Sequence, residues 1–76
     1  MDKKKLKQLL YAIKDKKFFR TNLLDIDYSP YQLIKEISFL LDHGLIAHWS
    51  IGYYQRLFDG DDVDFVYRNL CKENGL

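Results

Sequence analysis

Leu6, Leu9, Leu10 and Ile13 recur at a three-four spacing, and most of the seven lysines of the first 17 residues fall off that stripe. The pattern predicts an amphipathic helix over residues 2–17. The same period returns as Leu33, Ile34, Ile37, Leu40 and Leu41, which predicts a second long helix over residues 30–43. Its outer face would carry Tyr31, Gln32, Lys35, Glu36, Ser38, Phe39 and Asp42. Both ends of this helix are marked. Ser29 can accept a hydrogen bond from an early helical N–H, and Pro30 suits a first turn that needs no donor. Gly44 can take the left-handed conformation that stops a helix.

Past Gly44 the period changes to two. Leu45, Ala47, Trp49 and Ile51 alternate with Ile46, His48 and Ser50, which predicts a two-sided strand. Gly52 breaks it, and residues 53–58, rich in aromatics, read as the returning strand of a hairpin. Asp59 is a good cap for a last helix through about residue 70, and Asp61, Asp62 and Asp64 suit the positive end of its dipole. Residues 72–76 are expected to fray. Phe18, Phe19 and Arg20 are too few to classify alone; they fit a brief first strand. Thr21 or Asn22 can cap a short helix over residues 23–26, with 27–28 as the turn before the capped helix.

These elements assemble into an α+β winged helix-turn-helix in the order α-β-α-α-β-β-α. It has a three-helix core, a two-stranded wing and a C-terminal helix. The chain is 76 residues long, enough for one domain spanning residues 1–76 and no second one.

Composition adds three points. The chain has six Tyr, five Phe and one Trp, more rings than a small core needs, so some are expected to be exposed or covered by a partner. Its single cysteine, Cys71, cannot form an internal disulfide, which fits a reducing cytoplasm. No apolar run approaches the length of a bilayer span, so no membrane partner is expected. The formal net charge of +1 hides an asymmetry: residues 1–20 carry +6, and residues 21–76 carry −5.

Catalytic and metal chemistry find little support. The acidic run at Asp59, Asp61, Asp62 and Asp64 lacks the twelve-residue spread and closing Glu of a calcium loop. His43 and His48 straddle a helix-to-strand boundary with no third ligand. No nucleophile elbow, phosphate loop or dinucleotide fingerprint is present. The chain is expected to be a non-enzyme without cofactor or metal.

Binding is what remains. In a helix-turn-helix, the capped helix would enter the major groove of double-stranded DNA with its N-terminal residues, here Tyr31, Gln32 and Lys35. A wing carrying Tyr53 and Arg56 would touch the backbone, and Lys4, Lys5 and Lys7 of the first helix would hold phosphates. Lys35 is the one base on the reading helix, offset by Glu36 and Asp42, so a homodimer is expected to supply the missing positive charge. The alternative is a protein-interaction module. It would use an aromatic surface including Phe39, Trp49 and Tyr54 to bind a host protein or a second copy.

The length, the lysine-rich first helix, the passage from Ser29 through Ile37 and Leu40 to Gly44-Leu45-Ile46, and the terminal helix resemble the small YjcQ-like winged-helix proteins of Gram-positive bacteria and their phages. That group enters its last helix through a Leu-Thr-x-x-Gly-x-x-Phe pattern. Here Asp59 stands where Thr caps, Phe65 matches, and Asp62 replaces the Gly. The resemblance implies a winged helix and a phage or mobile-element regulator in the cytoplasm.

Overall fold

A computed structural model of the protein describes residues 2–24 and 29–76. The described elements are α1 (Lys3–Ile13), β1 (Phe18–Phe19), a 3-10 turn (Thr21–Leu23), α2 (Pro30–Asp42), β2 (Ile46–Ser50), β3 (Tyr53–Arg56), a second 3-10 turn (Gly60–Asp62) and α3 (Val63–Asn74). The architecture is α+β, with three α-helices and one antiparallel sheet. The 3-10 turn at Thr21 has no side-chain cap. Of the short helix expected over residues 23–26, residue 23 ends this 3-10 turn, Leu24 is extended, and residues 25–26, like the turn expected at 27–28, lie outside the described residues.

Local chemistry sets the helix ends. Asp2 accepts hydrogen bonds from the N–H groups of Lys4 and Lys5 at 2.9 and 3.4 Å, satisfying two orphan donors of α1. Ser29 accepts from the Gln32 N–H at 3.2 Å, with Pro30 in the first turn of α2. At the other end Gly44 has φ +70°, and the Leu45 N–H reaches back to the Leu40 carbonyl at 3.0 Å. The tail of α3 does the same instead of fraying. Gly75 sits at φ +68°, the Leu76 N–H donates to the Cys71 carbonyl at 2.9 Å, and the Leu76 side chain packs against the core.

The core joins all three helices to one face of the sheet. Leu6, Leu9, Leu10 and Ile13 of α1 are fully buried and meet Ile37 and Leu40 of α2, Val63 and Leu70 of α3, and Phe19 and Ile46 of the sheet. Helix α2 is rotated from the expected face. Its inward arc is 33, 36, 37, 40 and 41, so Glu36 is buried at 1% exposure while Ile34 stands out at 66%. That arc follows the helical period more closely than the apolar residues do, because a helix packs by geometry even where one position is polar.

The sheet has three strands in the order β1-β3-β2, one more than a two-stranded wing. β1 pairs with β3 through Phe18 opposite Gln55 and Phe19 opposite Tyr54. β2 pairs with β3 through Ile46–Arg56, Ala47–Gln55 and His48–Tyr54, and the register then slips so that Ser50 faces Tyr53. The slip is a bulge at Trp49. The tight turn has one positive-φ residue, Gly52 at +76°, and not the two that a type I′ turn needs.

Candidate functional site

The exposed positions of α2 form one stripe: Tyr31, Ile34, Lys35, Ser38 and Asp42. Tyr31 is 70% exposed, and the Lys35 ammonium lies 4.7 Å from the centre of its ring. Gln32 is half-buried beside them. The capped starts of α1 and α2 open on a shared cleft of about 520 Å³, lined by Asp2, Ser29, Tyr31, Gln32, Lys35 and Glu36. The lysine-rich first turn of α1 is therefore a neighbour of the start of α2. Lys4 is exposed and Lys5 is half-buried. Lys7 is exposed but lies along the α1–α3 pair, with its ammonium 5.7 Å from the Tyr11 ring centre and 5.6 Å from that of Tyr67. Beside it, the Tyr67 hydroxyl is pushed above its ordinary value of 10.0, first by lost hydration and then by the neighbouring Cys71 thiol.

Arg56 does not join this surface. Its guanidinium turns inward, where Nη1 donates to the carbonyls of Ile13, at 3.1 Å, and Lys14, and Nε donates to the Phe58 carbonyl at 2.9 Å. The last carbonyls of α1 have no helical partner and carry the negative end of its dipole, so a cation with a rigid donor fork is well suited there. The expected phosphate contact is thus a structural cap. Gly60 closes the same corner, where a Cβ would run into the Lys14 carbonyl.

The three residues expected to anchor a protein interface do not share one surface. Phe39 is half-buried, packed on the core and on His43 at 4.1 Å between ring centres. Tyr54 lies on the covered face of the sheet, against Phe19 at 5.8 Å and His48 at 5.0 Å. Trp49 alone is open, at 55% exposure. Of its companions, Tyr53 is the residue expected in a DNA-contacting wing, whereas Phe18 and Arg20 are not singled out by sequence reasoning. Phe18 meets Trp49 over the central strand at 4.1 Å, Tyr53 meets it edge-on at 5.9 Å, and the Arg20 guanidinium lies 5.3 Å from the Tyr53 ring. No local pattern marks this group, since it depends on β1 pairing with β3.

A second cleft of about 610 Å³ runs between the first 3-10 turn and α2, bordered by Leu24, Leu33, Ile34, Ile37 and Tyr54. Ser38 and His48 also line it, with no carboxylate among its described lining residues to orient the imidazole. Among the described residues, no three His, Cys, Asp or Glu side chains gather closely enough to hold a metal ion, and no helix is long and apolar enough to cross a membrane. Comparison with protein families, curated proteins and solved structures finds no match for this chain.

Proposed function

We propose that this chain is a non-enzymatic winged-helix module that binds double-stranded DNA, with α2 as the reading helix. The observation that carries the proposal is the meeting of the two capped helix starts. Tyr31 and Lys35 face outward on the N-terminal half of α2, and Asp2, the cap of α1, shares one cleft with them and is followed in the chain by the exposed Lys3 and Lys4. On this reading the polar side chains of α2 would meet base edges and the lysines would meet the flanking phosphates. The element order and the hairpin that follows α2 suit a winged helix with the β2–β3 turn as its wing. A role as a phage or mobile-element regulator rests on the YjcQ-like pattern.

A mobility shift with random duplex DNA at low and high salt tests the reading. Retention should weaken steeply with salt. Changing Lys4 and Lys35 to Glu should weaken it at every sequence and flatten the salt dependence by about one unit of slope per lost phosphate contact. A second reading, self-association or capture of a host protein, is favoured by the open Trp49. Absence of duplex retention at any salt, together with a stable dimer in sedimentation, would select it.

A further inference from the structure

We propose that the outward face of the sheet is a stacking platform for the unpaired bases of a single-stranded nucleic acid, a surface separate from the α2 stripe. The helices cover one face of the sheet, where Phe19 and Ile46 are buried at 3% and 2% exposure. The other face carries Phe18, Trp49 and Tyr53 as a continuous series of rings, one from each strand, spaced 4.1 and 5.9 Å. The register of β2 against β3 shifts at Trp49.

Charge selects the occupant. Every formally charged side chain in residues 16–20 and 46–56 is positive, namely Lys16, Lys17, Arg20 and Arg56. Arg56 turns to the core, while Lys17 and Arg20 border the rings, at 5.8 Å from the Phe18 centre and 5.3 Å from the Tyr53 centre. A purely apolar partner or a second copy of the chain would bury these cations against each other without a carboxylate from the sheet. A strand of phosphates with exposed bases matches both features. Phosphates meet Lys17 and Arg20, and base faces meet the rings, with little dependence on sequence because every base has a π-face. A duplex offers its bases already stacked and leaves the rings unused. DNA and RNA single strands share this chemistry.

Trp49 is the sole tryptophan, so its emission reports directly on the platform. The test titrates the protein with twelve-residue oligo-dT and oligo-rU, a hairpin duplex of equal charge, inorganic polyphosphate and poly-Glu. Single strands should quench Trp49, and the two oligomers rank DNA against RNA. Polyphosphate and poly-Glu should leave the emission nearly unchanged, and the duplex, held through α2 and the wing, should change it less than the single strands do, with no loss of duplex binding in Phe18→Ala. Phe18→Ala and Tyr53→Ala should each weaken oligomer binding about 5- to 100-fold, and Arg20→Gln should lower the salt slope by about 0.7. Circular dichroism melting checks that each variant is folded. Equal quenching by polyphosphate, poly-Glu or duplex would overturn the proposal, as would unchanged emission with oligomer up to about 100 µM. A dimer in sedimentation that Trp49→Ala dissolves would also overturn it, by showing that a second copy covers the face.

Discussion

The two faces of the sheet are built from the same kinds of residue and do opposite things. Phe19, Tyr54 and Arg56 point toward the helices; Phe18, Tyr53 and Arg20 point away. On the inner face a phenylalanine closes the core and an arginine ends a helix. On the outer face the same types meet solvent and one another. Hydrophobicity does not separate them. What separates them is the strand's alternation together with which face the helices cover.

The sharpest way to break this comparison is at the adjacent pair Phe18 and Phe19. Phe19→Ala should cost about 3–5 kcal/mol, as for other buried rings. That would remove much of the stability of so small a domain. Phe18→Ala should cost under about 1 kcal/mol, because its ring keeps partial access to water. Urea denaturation measures both, and equal losses would mean that the outer rings are as structural as the inner ones.

The arginines come next. Arg56→Met keeps the stem but removes the donor to the Lys14 and Phe58 carbonyls, while the Ile13 carbonyl keeps the Lys16 N–H at 3.0 Å, at a cost of about 1–3 kcal/mol. Arg56→Lys should recover only part of this, since a single ammonium cannot reproduce the fork. Arg20→Met should stay within about 0.5 kcal/mol. Urea midpoints of the three variants decide the matter, and an Arg56→Met midpoint equal to that of Arg20→Met would remove the cap. The tyrosines refine the contrast. Tyr54→Ala should lose about 1–2 kcal/mol because its partly buried ring packs against the core, against less than about 1 kcal/mol for Tyr53→Ala by the same measurement.

These pairs also show what is legible in a sequence. The ends of α2 are, because Ser29, Pro30 and Gly44 act through hydrogen bonds and φ preferences within a few residues of themselves. The end of α3 carries the same signal at Gly75, where Leu76 supplies the apolar contact that holds a tail down. The sheet's third strand is less legible: two residues contain no period, and β1 exists because β3 is beside it. The rotation of α2 is hidden for a related reason. Ile34 and Glu36 look correctly assigned by polarity, but the surface that covers α2 sets which arc turns inward. Arg56 is the clearest case. It lies 42 and 43 residues from the carbonyls that it satisfies, so nothing near it in the chain distinguishes a helix cap from a free cation. The candidate site divides the same way. Tyr31 and Lys35 follow from the helix period, whereas the Phe18–Trp49–Tyr53 platform emerges only once three strands are paired.

The smallest effect lies off the sheet and sets the baseline for reading the pairs. Tyr67, between α1 and α3, has its hydroxyl raised above 10.0 by lost hydration and by Cys71. A raised value means that the folded chain holds this proton more tightly than the unfolded chain does. The associated stability is fully present below about pH 10, where both states are protonated. Above that, the unfolded chain releases its proton first and binds fewer protons than the folded one, so stability falls as pH rises. Melting temperatures between pH 9 and 11 should therefore drop more for the parent than for Tyr67→Phe, which has no hydroxyl to titrate. Phe18→Ala should keep the parent's alkaline slope, since its ring touches neither Tyr67 nor Cys71. If Tyr67→Phe kept that slope as well, the alkaline loss would belong to other groups and the α1–α3 contact would have no part in it.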